Sequence, residues 1–64
     1  MYKIWVRYQW RSANGIVWCD WYDLSPHTYT LEEGEKQIKE KYANTKRTDQ
    51  ITGLKHEYEL RKIE

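Results

Sequence analysis

The stretch Tyr2 to Leu24, YKIWVRYQWRSANGIVWCDWYDL, constrains the fold of this chain more than any other, because it holds all four tryptophans and alternates as an extended strand does. Tyr2, Ile4, Val6, Tyr8 and Trp10 fall on one side, and Lys3, Trp5, Arg7, Gln9 and Arg11 on the other. Asn14-Gly15 follows, a dipeptide that tolerates positive φ and suits a tight turn between antiparallel strands. A second alternating run begins at Ile16. The segment therefore reads as a β-hairpin.

Two registers are open. A two-residue Asn14-Gly15 loop sets Ala13 opposite Ile16, Arg11 opposite Trp18 and Arg7 opposite Tyr22. One face then carries Ile4, Val6, Tyr8, Trp10, Val17, Cys19 and Trp21, and the other carries Trp5, Arg7, Gln9, Arg11, Trp18, Asp20 and Tyr22. A three-residue loop with a bulge swaps the faces of the second strand and brings Asp20 into the core. An unpaired carboxylate there costs several kcal/mol, which favours the first register.

Beyond the hairpin, Ser25-Pro26-His27-Thr28-Tyr29 reads as a connection, since proline removes a backbone donor. Thr30-Leu31-Glu32-Glu33 has the spacing of a capping box and predicts a helix start. Leu31, Gly34, Ile38 and Tyr42 form a narrow apolar stripe, with Gly34 suited to close approach of helix and sheet. The polar run Ala43 to Thr48 predicts the helix end, with Asn44 as a left-handed cap. From Asp49 to Ile63 period two returns, with Leu54, His56, Tyr58 and Leu60 on one side and Gly53 marking a bulge. A helical reading through Ile51, Leu54 and Tyr58 competes with this third strand.

The order β-β-α-β predicts an α+β single domain, residues 1–64, with a three-stranded antiparallel sheet in order 2-1-3 and one helix on one face. Trp5, Arg7, Arg11, Trp18 and Tyr22 then lie on a face with no cover within the chain. Tryptophan, tyrosine and arginine are the residue types enriched at binding hot spots, so these five are the candidate contact residues. The aromatics would act as anchors and the arginines as charged donors. On this reading Trp18→Ala abolishes binding without unfolding the chain, and Trp10→Ala, in the core, costs about 3 to 5 kcal/mol.

A chain of 64 residues is near the lower size limit for a single core, so self-association would assist it. Its 39% hydrophobic content is too high for disorder, and a formal charge of +1 gives no overall pull toward nucleic acid or anionic membrane. A single cysteine excludes an internal disulfide framework. No apolar run approaches the ~18 residues of a membrane span, and nothing at the N-terminus reads as a signal peptide. An intracellular, cytoplasmic protein is expected, with an infected host cell as one setting.

No paired spacing among His27, His56 and Cys19 suggests a metal, and no nucleophile has a recognisable base, so neither cofactor, metal nor catalysis is expected. The expected partner is a host protein or a second copy of the chain. Single-stranded nucleic acid, stacking on the same aromatics, is the alternative, opposed by Asp20, Glu57 and Glu59 on that face. An oligomeric sponge for a small ligand is a third reading, and would need a pocket at an interface.

The stretch Tyr29-Thr30-Leu31-Glu32-Glu33-Gly34-Glu35, after an aromatic hairpin, resembles the strand-to-helix step of the AP2-like arm-binding domains of phage integrases. Those domains place three strands before the helix and are more basic. The whole chain, small, aromatic-rich and read as complete from Met1, resembles the very small sheet-plus-helix proteins of phages, including anti-CRISPR and other anti-defence inhibitors. That resemblance implies action by occlusion, either capping a host protein's nucleic-acid groove or binding a signalling ligand.

Overall fold

A computed structural model describes residues 1–63 and has the α+β architecture expected, an antiparallel sheet with one helix. β1, Tyr2–Ser12, is the central strand. On one side it pairs with β2, Gly15–Trp18, and β3, Tyr22–Asp23, which are two pieces of the hairpin's return strand. On the other side it pairs with β4, His56–Lys62, over seven residues from Tyr8↔His56 to Tyr2↔Lys62. The last predicted strand thus lies beside the first, as the order 2-1-3 requires.

The hairpin turn is one residue earlier than expected. Ala13 and Asn14 form the connection and Ser12 faces Gly15, so Arg11 pairs with Ile16 and Gln9 with Trp18. Ser12 Oγ accepts from Asn14 N–H and donates to the Gly15 carbonyl. Positive φ is left to Gly15, at 107°, which removes the need for the Asn14-Gly15 turn in which both residues adopt it. The slip is two in register, which preserves parity, so Val17 and Trp18 keep the faces predicted for them.

Parity is then lost at Cys19-Asp20-Trp21. Past this segment Val6 faces Tyr22 and Trp5 faces Asp23, one residue out of step with the β2 pairing. That is a bulge, anchored by Cys19 N–H to the Tyr8 carbonyl at 2.9 Å and by Tyr8 N–H to Cys19 Sγ at 3.3 Å. Its consequence is an exchange: Tyr22 turns to the helix side, and Trp21 goes to the other.

Helix α1, Leu31–Thr52, starts as the capping spacing requires, with Thr30 Oγ1 accepting from Glu33 N–H at 3.2 Å. It does not stop at Asn44. The helix runs to Gly53, whose φ of 74° makes it the left-handed cap, and Gly53 N–H bonds to the Asp49 carbonyl at 2.7 Å. Asp49 also holds the chain after the cap, its Oδ2 accepting from His56 N–H at 3.1 Å and its Oδ1 2.6 Å from His56 Nδ1. Gly53 is thus a cap and not a bulge, and the strand begins only at His56.

α1 packs on β4 and β1 and touches neither β2 nor β3. Gly34 is its one fully buried residue and lies against Leu60, where a Cβ would come within 2.5 Å of Leu60 Cδ1. Under the helix, Ile4 and Val6 are the buried hydrophobic core, 2% and 1% exposed. Trp10, predicted for that core, is 46% exposed because the helix does not reach over the hairpin end.

Candidate functional site: a tryptophan and arginine ladder

The sheet face turned away from α1 carries a continuous alternation of rings and guanidinium groups. Arg7 Cζ lies 4.5 Å from the Trp18 ring centroid and 5.0 Å from that of Trp21. Arg61 Cζ lies 5.3 Å from Trp21 and 4.7 Å from Trp5. The sequence of contacts is Trp18, Arg7, Trp21, Arg61, Trp5. Each contact is a cation–π stack worth about 0.5 to 1 kcal/mol at an exposed site and more when water is excluded.

Local structure explains each position. Odd residues of β1 supply Trp5 and Arg7, odd residues of β4 supply Arg61, and β2 supplies Trp18. Trp21 joins them only through the bulge. Carboxylates complete the array: Arg7 Nη2 donates to Glu57 Oε1 at 2.9 Å, Arg61 Nε to Glu59 Oε2 at 3.0 Å, and Lys3 Nζ to Asp23 Oδ2 at 3.3 Å. Arg7 Nε is buried without a hydrogen-bond partner, so stacking holds this guanidinium where a full set of acceptors does not. Trp5, Trp18 and Trp21 are each half-buried. They are braced by the ladder and still present ring surface outward.

Three of the five predicted contact residues, Trp5, Arg7 and Trp18, are brought together here. Arg11 is set apart toward the hairpin end, where its Nη2 reaches the Thr52 carbonyl at 3.3 Å. Tyr22 is corrected to the opposite face, opposite Val6 and not Arg7, with its ring 6.3 Å from that of Tyr8 in an edge-on arrangement. Its phenol titrates above the ordinary tyrosine value, first because partial burial disfavours the phenolate and then through repulsion from Tyr8, Cys19 and Tyr58. Trp21 was assigned to the other face, and Arg61, which the alternation of the last strand sets on this face, was not among the expected contact residues. Trp21 was legible only from the second register open to the hairpin, which the chain adopts past the bulge and not at the loop.

Among the described residues no group of three His, Cys, Asp or Glu side chains gathers as a metal site would, and no pocket is enclosed. No helix among them is long and apolar enough to cross a membrane. The fold and this face together define a small α+β protein whose sheet carries an exposed, internally charge-balanced aromatic surface. Comparison with known protein families, with curated proteins and with solved structures finds no match.

Proposed function

We propose that this protein is a non-catalytic binding module of the phage-inhibitor type, docking its tryptophan and arginine face on a host protein and acting by occlusion. The observation that carries the reading is the ladder Trp18, Arg7, Trp21, Arg61, Trp5 on the face opposite the helix. Anchors already held in place lose little freedom on binding, so more of their contact energy becomes affinity. The molecule's two longer dimensions, 38 and 23 Å, frame a face comparable to the ~800 Å² each partner contributes to an ordinary protein interface.

A protein surface suits this face better than a phosphate backbone does. Both ladder arginines are engaged by Glu57 and Glu59, which would repel phosphates and compete for the guanidinium groups. Affinity capture on the immobilised chain, with and without nuclease and across salt, tests the proposal. The expected result is a host protein retained after nuclease and at high salt, and lost from Trp18→Ala. Capture that depends on nucleic acid, or that survives Trp18→Ala and Trp5→Ala together, refutes it.

A further inference from the structure

We propose that the protein forms a two-fold dimer through the half of the sheet that α1 leaves uncovered, where Tyr8, Trp10 and Tyr22 of one chain pack against the same residues of a second copy. This surface lies on the side of the sheet opposite the ladder, so it stands or falls separately from the proposed docking face.

The first observation is a step in the molecule. On the helix side α1 covers β4 and part of β1 and makes no contact with β2 or β3. Tyr8, Trp10 and Tyr22 are left 36%, 46% and 42% exposed on that uncovered half. Face-packed sheets lie about 10 Å apart, and a helix is about 10 Å across. A second sheet therefore fills the step to the depth α1 already occupies.

The second observation is chemical. Around these three rings the same half presents Ser12, Val17 and Cys19, with no charged side chain on the helix-side positions of β1 from Tyr8 to the turn or along β2; the bordering His56, stacked on Tyr8 at 5.8 Å, is paired with Asp49 of α1. A two-fold interface sets residues near its axis against their own copies, so any charge there would meet its like. An uncharged aromatic surface meets itself without that penalty. The ladder face, with acids and bases interleaved, has no such simplicity.

The third observation sets the exposed area against what a dimer needs. The chain exposes 5001 Å², whereas a compact monomer of 7.9 kDa is expected to expose about 4,400 Å². Its radius of gyration is 12.9 Å, against about 11 Å for a compact chain of this length. Ile4 and Val6 are its only buried hydrophobic residues among those described. The difference, about 600 Å² over the whole chain, is on the scale that one partner of a standard interface buries. A second copy on the uncovered half supplies part of that burial to both chains at once, since a two-fold contact buries the same patch twice.

Analytical ultracentrifugation of the full chain at micromolar concentration tests this. The wild type should sediment at twice the chain mass and melt at a temperature that rises with concentration. Trp10→Lys with Tyr22→Lys should raise the dissociation constant at least ~100-fold and leave the helical circular dichroism intact, while Trp18→Ala should remain dimeric. Isotope-filtered NOEs on mixed labelled and unlabelled wild-type chains read the interface without substitution and should connect the Trp10 and Tyr22 rings across subunits. A single-chain mass with a concentration-independent melt overturns the proposal. So does a dimer that survives the double variant, or one whose cross-subunit contacts fall on Trp5 and Trp18.

Discussion

The two faces of this sheet solve the same problem by different means. On the helix side, apolar burial is concentrated in Ile4 and Val6 beneath α1 and stops where the helix stops. On the other side no element lies over the sheet, and three indoles are shielded by alternating with Arg7 and Arg61, each guanidinium covering two rings. A small chain with one helix can thus protect a second face using long side chains whose stems are apolar and whose charged heads remain near water. Under the helix burial is completed at Ile4 and Val6, whereas the ladder shares partial burial among its members.

This contrast has its largest expected consequence at the centre of the covered face. Ile4→Ala should cost about 2 to 5 kcal/mol, enough to unfold most of a domain this size, as urea titration followed by circular dichroism would show. A mild effect would mean that the core is not where the burial places it. Arg7→Ala comes next, with a loss of about 1 to 2 kcal/mol, because it removes the cation stacked on both Trp18 and Trp21. Arg7→Lys should recover only part of this, since an ammonium cannot stack as a flat guanidinium does. Full recovery would reduce the ladder to simple charge pairing.

Trp18→Ala should cost about 1 to 2 kcal/mol and exceed Trp10→Ala when both are measured in dilute protein, where each chain is alone. The opposite order would restore Trp10 to the core and undo the contrast between the faces. Gly34→Ala should lie within ~0.5 kcal/mol of the wild type, because the helix gain of about 1 kcal/mol is offset by displacement of Leu60. In a Leu60→Ala background that gain should reappear, and a double-mutant cycle measures the coupling. The smallest effect concerns Tyr22. Its phenol is favoured in the neutral form by the fold, so the associated stability is complete below the ordinary tyrosine value and fades as pH climbs through the raised one. Tyr22→Phe should flatten that alkaline decline in a pH series of melts.

The amino-acid sequence determined what depends on near neighbours. Alternation in β1 assigned Ile4 and Val6 to one face and Trp5 and Arg7 to the other, because side chains of an extended strand point in turn to opposite sides whatever the strand pairs with. Thr30 marked the helix start because its hydroxyl and Glu33 N–H are three residues apart. What the tertiary structure decided depends on partners distant in the chain. The bulge at Cys19-Asp20-Trp21 exchanged Trp21 for Tyr22 through bonds to Tyr8, and by taking the one-residue slip at Asp20, which stays exposed, it avoided the buried carboxylate that counted against the slipped register. The helix passed Asn44 and ended at Gly53, where Asp49 could hold His56 at the start of β4. The extent of sheet under that helix left Trp10 in the open, because coverage is a property of how two elements lie against each other and of neither alone.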